Sequence, residues 1–344
     1  MGRALAARQD LVLRIIVQEY IAKASPVASE TLVRNYRLGV SPATVRNYMA
    51  RLEEEGYLSR PHASAGSVPL AKAYRHYVQS LANDLELSPA EQRLIDRLFQ
   101  ETEGNTEEWV KLAASLLARL ARNTALVTMP KAPTARLKHV ELVGLADRIA
   151  LLIVVLQEIR IKQQLLSFAE PVSQDQMSSI ANKLNAIFSG MTSSEIRRKK
   201  ADLTALERHV LDAVIAIIEE QDRTVPERPY LEGLRLMLNQ PEFLPSGRML
   251  SIMELMENVE WLNLILSQQT RESDVRVVIG EESQQDALRD LSVIFGRYGI
   301  PDDIGGTIGV LGPTRMDYGH SIAAVRYFCR VLSNLLAELH QSGR

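Results

Sequence analysis

The N-terminal quarter of the chain alternates apolar and polar positions in a pattern that predicts three helices, two short strands and a fourth helix. Between residues 8 and 24, apolar side chains recur at helical spacing, which predicts an amphipathic helix. Ser29 can cap a second helix, and Ser41-Pro42 opens a third because serine and proline both favour a helix start. Two strands surround a glycine-containing turn between residues 57 and 70. This order is typical of a winged helix-turn-helix, which we expect over residues 1–84.

The remainder of the chain switches between helical and strand patterns. Residues 85–128 predict a helical linker in two pieces, which is either a spacer or a dimer seam because the spacing of its apolar residues fits both. Beyond residue 129, runs of β-branched and apolar residues predict strands. These strands lie at 139–145, 149–156, 160–168, 274–280, 291–298 and 307–311. The predicted helices lie at 177–188, 203–220, 230–238, 249–268 and 321–339.

Strand patterns therefore flank a mostly helical block of roughly a hundred residues. The economical interpretation is an α+β chain in which a helical domain is inserted between the strands of another domain. We assign residues 173–270 to the inserted domain and residues 129–172 and 271–344 to the domain that surrounds it.

Charge is distributed unevenly along the 344 residues. The net charge is −2, but residues 1–83 contain 11 lysines and arginines against 6 acids, which leaves +5 there and −7 elsewhere. A basic head on an acidic body fits a nucleic-acid-binding head, although chance variation explains an excess of this size equally well. The single cysteine, Cys329, excludes an internal disulfide, and no apolar run approaches the roughly 20 residues of a membrane span. We therefore expect a cytoplasmic protein that does not bind a membrane.

The helix that begins at Ser41 carries the clearest candidate chemistry. Val45, Met49 and Leu52 fall on one side and should pack on the first helix. The opposite side is small, polar and basic, and the acids are confined to the C-terminal end. Since a recognition helix contacts bases mainly with its N-terminal part, this distribution predicts DNA binding. The alternative is an amphipathic helix with an ordinary solvated face.

The predicted DNA-binding residues differ in chemistry. Asn47 can pair with adenine, and Arg46 or Arg51 can pair with guanine. Hydroxyl groups suit phosphate, small residues allow close approach, and the wing between the two strands supplies two further candidate cations. An ordinary surface turn is the alternative for that wing. The full set is Ser41, Ala43, Thr44, Arg46, Asn47, Arg51, Arg60, His62 and Ser64.

Signals for other chemistry are weak. The six histidines have no metal-ligand spacing, and the glycine-rich run 305–312 matches neither a dinucleotide-binding nor a phosphate-binding loop. Cys329 lies on the apolar side of the last helix, which favours a buried structural thiol. For Arg315 and Asp317 we favour an internal ion pair over a ligand contact. We therefore expect no catalytic residue, no metal and no cofactor.

Several runs of residues resemble the HrcA family of bacterial heat-inducible transcription repressors, and together they extend over nearly the whole chain. Near the N-terminus they are Tyr20-Ile21, Pro26-Val27-Ala28-Ser29 and Ser41-Pro42-Ala43-Thr44-Val45-Arg46-Asn47. They continue with Leu52-Glu53-Glu54-x-Gly56-Tyr57-Leu58 and Pro61-His62-x-Ser64-Ala65-Gly66. The last is Gly309-Val310-Leu311-Gly312-Pro313-Thr314-Arg315-Met316-Asp317-Tyr318.

The resemblance implies a winged helix, a GAF-like domain and an inserted dimerisation domain. It implies a homodimer that represses chaperone operons by binding double-stranded DNA at an inverted-repeat operator, the CIRCE element, and releases it on heat shock. It also implies that the GroE chaperonin helps the repressor to reach its active state. The alternative function is a metabolite-responsive winged-helix regulator whose GAF-like domain binds a small ligand.

Three positions depart from the family pattern. Ser67 stands where many members carry arginine, Ala73 where they often carry glycine, and Tyr48 where aspartate is usual. Loss of a wing cation should weaken attraction to phosphate and its dependence on salt. Arg60, where members commonly have an uncharged residue, can offset that loss.

Overall fold

The computed structural model describes residues 6–62, 65–81, 85–102, 105–131, 134–157, 161–223, 229–244, 246–257, 275–282, 288–301 and 304–342. The helices in this part of the chain are α1 (Ala7–Lys23), α2 (Ser29–Asn35), α3 (Pro42–Glu54), α4 (Ala71–Ser80), α5 (Pro89–Glu101), α6 (Thr106–Ala121), α7 (Gln174–Phe188), α8 (Ser193–Arg198), α9 (Ala205–Arg223), α10 (Leu234–Leu238), α11 (Ser246–Glu257) and α12 (Tyr318–Ser342). The strands are β1 (Leu58–Ser59), β2 (Val68–Pro69), β3 (Thr124–Val127), β4 (Leu137–Ala146), β5 (Ile149–Leu156), β6 (Ile161–Ser167), β7 (Tyr230–Glu232), β8 (Arg276–Ile279), β9 (Leu291–Gly299) and β10 (Gly305–Pro313). None of these helices is both long and apolar enough to cross a membrane.

The chain forms two compact units, and helices and sheets occur in both, as expected for an α+β protein. The first contains residues 1–129, 228–299 and 306–344, and the second contains residues 130–227 and 300–305.

Residues 7–80 of the first unit, here called the head, have the predicted order of three helices, a two-stranded ribbon and a fourth helix. Strands β1 and β2 pair antiparallel, with Leu58 opposite Pro69. Leu13, Ile16, Val45 and Leu52 are buried together in the apolar cluster that links α1 and α3. The 3.6-residue period of the sequence therefore selects the faces that meet in the head.

The rest of the first unit, here called the body, is built on a five-stranded sheet in the order β7-β3-β10-β9-β8. Helices α6 and α12 pack against it, and their apolar side chains belong to the same buried cluster as those of the head. The head is therefore continuous with the body through a shared apolar core.

Residues 85–128, predicted as a helical linker, contribute apolar side chains to the buried cluster of the first unit. Ile95 and Phe99 of α5 are buried, and the Phe99 ring lies 6.2 Å from the ring of Phe328 in α12. The last part of the segment is strand β3, which pairs antiparallel with β10 in the middle of the sheet. The segment is a structural part of the body because its apolar faces find their partners there.

The second unit contains a three-stranded antiparallel sheet in the order β4-β5-β6. One face of this sheet packs on α7 and α9, and Leu152, Leu184 and Val214 are among the fully buried residues between them. Among the described residues the three strands pair only with one another, whereas the sequence assigned residues 129–172 to one domain with residues 271–344. These strands share a core with helices of the predicted insertion instead.

Two smaller differences concern residues 230–268. The segment predicted as one helix over 230–238 begins with strand β7, which pairs with β3, and only Leu234–Leu238 is helical. The helix predicted over 249–268 is present as α11, and residues 258–274 lie outside the described part. A three-residue edge strand is too short to leave a period in the sequence.

Candidate nucleic-acid interface

The start of α3 is fixed by local side-chain chemistry. Ser41 is the N-cap, and its Oγ accepts a hydrogen bond from the backbone N–H of Thr44 at 3.2 Å. The side-chain hydroxyl oxygens of Ser41 and Thr44 also lie 2.9 Å apart, within hydrogen-bonding distance. Pro42 occupies the first turn, where a missing N–H costs nothing. Both hydroxyls are therefore held at the end of the helix where the dipole favours an anion.

The two faces of α3 divide as the sequence predicts. Val45, Met49 and Leu52 are buried, and they are the buried residues of this helix. The exposed residues along the other face are Ala43, Arg46, Asn47, Ala50 and Arg51. This face is open to solvent, small at its N-terminal end and positively charged.

The cations on α3 have no acidic partner within the described residues. Arg46 and Arg51 form no ion pair there, so their charge is available to a ligand. Sequence reasoning missed Arg34 and Arg37, which are likewise exposed and unpaired and lie at the end of α2 and in the turn before α3. The signal that could have found them is the presence of two arginines in the short segment that precedes the recognition helix.

The wing is held against α3 by a shared carboxylate. Glu53 Oε1 accepts hydrogen bonds from Arg60 Nη2 at 3.0 Å and from Ser67 Oγ at 2.6 Å. Ser67 also pairs with Val27 through backbone hydrogen bonds, and a Cβ on neighbouring Gly66 would lie only 2.5 Å from the carbonyl carbon of Val27. The base of the wing therefore packs tightly on both α3 and the segment before α2.

The three predicted wing residues have different surroundings. Arg60 is engaged with Glu53, and its side chain is 29% exposed, so its charge is largely balanced within the head. His62 is exposed. Ser64 lies outside the described residues. Ser67, which is not a cation, instead donates a hydrogen bond to Glu53 at the base of the wing.

The predicted ion pair between Arg315 and Asp317 is wrong. The Asp317 Oδ1 accepts a hydrogen bond from the backbone N–H of His320 at 3.1 Å and caps α12. The guanidinium of Arg315 pairs with Glu242 instead. The Arg315 partner lies 73 residues away in sequence, where a local pattern gives no signal.

The described residues form neither a metal site nor a site with an activated nucleophile. In the part of the chain that the structure describes, no cluster of three histidine, cysteine or acidic residues could hold a metal ion. Burial raises the pKa of the Cys329 thiol to about 12, which keeps it protonated near neutral pH and makes it a poor nucleophile.

Comparison with known proteins gives a consistent result. The profile of a family described as "HrcA protein C terminal domain" matches residues 107–322. A relative named heat-inducible transcription repressor HrcA from Dehalococcoides mccartyi is 40% identical over 98% of this chain and 97% of its own length. A relative of the same name from Chloroflexus aurantiacus is 37% identical over 99% of this chain and 96% of its own length.

One solved structure has a similar fold. It is titled as the crystal structure of a hypothetical protein and superimposes with a TM-score of 0.64. The match covers 97% of this chain and 99% of that chain at 22% identity. At this identity the likeness concerns the fold alone.

Proposed function

Because the chain belongs to the HrcA family of heat-inducible transcription repressors, we propose that its head is a winged helix that places α3 in the major groove of an inverted-repeat operator, the CIRCE element. The relatives are repressors, and the prediction of a repressor rather than an enzyme is confirmed by this membership. Operators of chaperone operons lie on the chromosome, so the protein acts in the cytoplasm. The body is then the GAF-like domain of the family.

The observation that carries this proposal is the exposed face of α3. Asn47 and Arg46 present the donors and acceptors that read adenine and guanine, and Ala43 leaves room for a close approach to the groove. The hydroxyls of Ser41 and Thr44 lie at the helix N-terminus, where they can contact phosphate. Arg51 has no acidic partner among the described residues of the head and adds sequence-independent attraction.

A homodimer is the second part of the proposal, and its support is the outer face of the sheet β4-β5-β6. We define this outer face by Val143, Leu145, Ile149, Leu151, Ile153, Val155, Ile161 and Leu165. Leu145, Ile161 and Leu165 are 58%, 59% and 62% exposed. Exposed aliphatic side chains that adjoin one another across three strands are a feature of interaction sites on soluble proteins.

The occupant that we propose for the outer face is a second copy of the chain. The registers place Leu165 opposite Leu151, and Leu151 opposite Val143, so the apolar row crosses all three strands. An inverted repeat requires a two-fold dimer, and a two-fold interface buries the same patch on both copies. The proposed dimer surface therefore lies on strands 137–167 and not within the interval 173–270 assigned from the sequence.

The GroE chaperonin enters the proposal through the same surface. A monomer that exposes this aliphatic face before it finds its partner has the feature that chaperones recognise. We propose that the chaperonin holds the repressor until dimerisation covers the face, and that heat-damaged proteins compete for the chaperonin and let repression lapse.

A mobility-shift experiment at fixed salt tests the proposed function. An inverted-repeat duplex from a chaperone promoter is compared with a scrambled duplex of the same composition, with and without chaperonin. We expect a preference of at least about a thousandfold for the inverted repeat, the lower end for specific DNA binding. Equal affinities for both duplexes, even with chaperonin present, would contradict the operator proposal.

One observation favours a second candidate function, a ligand-responsive regulator. A cleft of about 1120 Å3 lies where α1 and α4 of the head face α6 and the loop before α12. Arg119 and Arg122 line it and pair with no acid among the described residues. Calorimetric titration with phosphorylated metabolites tests this candidate. Saturable heat that is lost in Arg119→Ala supports it, and no heat with any of them contradicts it.

A further inference from the structure

Two arginines cross the joint between head and body in opposite directions. Arg315 lies in the body, between β10 and α12, and reaches the end of α1 in the head. Arg75 lies on α4 of the head and reaches β8 in the body. Neither arginine belongs to the proposed DNA-binding face or to the proposed dimer surface.

Arg315 makes four polar contacts with two segments, the end of α1 and residues 240–242. Its Nη1 donates to the carbonyl oxygen of Ile21 at 3.0 Å, and its Nη2 donates to Gln240 Oε1 at 3.1 Å. Nε and Nη2 both contact the Glu242 carboxylate, the latter at 3.2 Å. Ile21 lies in the last turn of α1, where carbonyl groups have no partner within the helix. A planar guanidinium can hold these partners at once because its donors point in fixed directions.

Arg75 makes the reciprocal contact. Its Nε donates to Glu282 Oε1 at 2.6 Å, and its Nη2 donates to the carbonyl oxygen of Val277 at 2.7 Å. The other oxygen of Glu282 accepts from the backbone N–H of Ile279 at 2.9 Å, which fixes the carboxylate on the body. A head that rotated on the body would have to break both arginine contacts.

Aromatic packing fills the space between the two arginines. The rings of Tyr74 in α4 and Tyr318 in α12 lie 5.9 Å apart. The Tyr318 hydroxyl donates to the carbonyl oxygen of Thr314 at 2.7 Å, which ties the loop that carries Arg315 to the first turn of α12. The segment 313–318 therefore contacts the head through the Arg315 guanidinium and the Tyr318 ring.

We propose that Arg315 and Arg75 are positioning residues that fix the orientation of the head on the body. In a dimer joined elsewhere, this orientation sets the separation of the two α3 helices and therefore the spacing of half-sites that the protein accepts. Only the effect on half-site spacing rests on the proposed function. The fixed orientation of the head on the body is a property of a single chain and does not depend on DNA binding.

The DNA experiment measures affinity as a function of the spacer between two half-sites. Wild type should lose about tenfold or more when the half-sites are moved out of phase by about half a helical turn, roughly five base pairs. Arg75→Ala/Arg315→Ala should lose less than about threefold, because freed heads adapt to the spacing, and affinity for a single half-site should not change. Arg197→Ala, which removes an exposed arginine–glutamate pair of the second unit, is the matched control and should behave as wild type.

A second measurement uses no DNA. Double electron–electron resonance measures the distance between two spin labels in a Cys329→Ala background. One label is placed at Glu54→Cys on the head and the other at Asn334→Cys on the body. We expect a narrow distribution that broadens in the double arginine variant. If that variant does not fold, Glu242→Gln, which keeps the size of the side chain, should broaden it in the same direction.

The outcomes separate the two proposals. A wild type without preference for the inverted repeat contradicts the proposed function, and the label distances still decide whether the arginines pin the head. Folded variants with an unchanged label distribution overturn the pinning. An unchanged spacer profile alongside a broadened distribution overturns its role in half-site spacing.

Discussion

The exposed face of α3 and the outer face of the sheet β4-β5-β6 are both the unpartnered side of an amphipathic element. On α3 that side carries Asn47, Arg46 and Arg51, which are polar or charged. On the sheet it carries side chains such as Ile161 and Leu165. The first can satisfy its hydrogen-bonding groups in water and bind a polyanion, whereas the second gains free energy only by leaving water.

The comparison shows that exposure alone does not identify a partner. The chemistry of the exposed side does, since the same binary pattern that builds each core also leaves one side for a ligand. For this chain the two faces indicate a nucleic acid and a protein, and an operator-binding dimer needs both. Substitutions on the sheet should therefore impair dimerisation, and substitutions on α3 should impair the reading of DNA sequence.

The largest effect is expected on the sheet. Leu165→Asp places a charge in the proposed dimer interface and should give a monomer. Because linkage of two half-site contacts contributes about 10²–10⁴ in avidity, operator affinity should fall by at least about a hundredfold. Sedimentation velocity and a mobility shift check the two parts. Gln164→Asp, on the same strand but on the opposite face, is the matched control, and equal behaviour of the two variants would contradict the interface.

The next largest effect is expected on α3. Asn47→Ala should cost about 1–3 kcal/mol of discrimination, which is about fivefold to 150-fold in operator affinity, with scrambled DNA unaffected. Competition binding at fixed salt measures this ratio. Asn334→Ala, an exposed asparagine of α12, is the control. Equal losses on operator and scrambled DNA would show that Asn47 does not read a base.

A smaller effect separates the two kinds of arginine in the head. Arg51→Ala should lower the slope of log affinity against log salt by about one for each subunit of the dimer, because its charge is unpaired among the described residues. Arg60→Ala should change the slope less, since that charge is balanced by Glu53, and should act by loosening the wing. Affinities at four salt concentrations give both slopes, and an equal or larger change for Arg60 would mean that it leaves Glu53 to contact phosphate.

The smallest effect is expected at a site on neither face. Ser88 caps α5, and its hydroxyl, together with His320, lowers the pKa of Glu91 to about 2. A lowered pKa in the folded state stabilises the protein above the ordinary value of 4.5, and this contribution is lost as the pH falls from 4.5 towards 2. Glu91→Gln should therefore cost about 1 kcal/mol at pH 7, a typical value for a cap, and less near pH 3.

Urea unfolding at the two pH values measures this difference, and operator affinity at pH 7 should not change. If Glu91→Gln lowers the free energy of unfolding by the same amount at both pH values, the Glu91 charge contributes nothing to stability. A change in operator affinity would mean that this site is coupled to one of the two faces.

The sequence predicts what local chemistry decides. Ser41-Pro42 and the period of Val45, Met49 and Leu52 were sufficient to place α3 and its two faces, because capping and amphipathicity act within one or two turns. The strands at 137–167 were also visible as β-branched runs. Their partners were not, since a strand pattern carries no information about which sheet it joins.

The errors arose where distant segments meet. Strand β3 was hidden behind a helix whose apolar pattern continues into it, and only pairing with β10, far along the chain, makes it a central strand. Arg315 likewise finds Ile21 and Glu242, both far away in sequence. Arg60 was taken for a free cation because the sequence does not show that Glu53 lies beside it.

The most direct test of the account is the distance between the two α3 helices on DNA. A spin label at Glu54→Cys in the Cys329→Ala background, measured in the complex with an inverted repeat, reports that distance. Two helices in successive turns of the major groove should give one narrow peak near one helical repeat, about 34 Å. No dipolar coupling in a saturated complex, as expected for a bound monomer, would contradict the central claim.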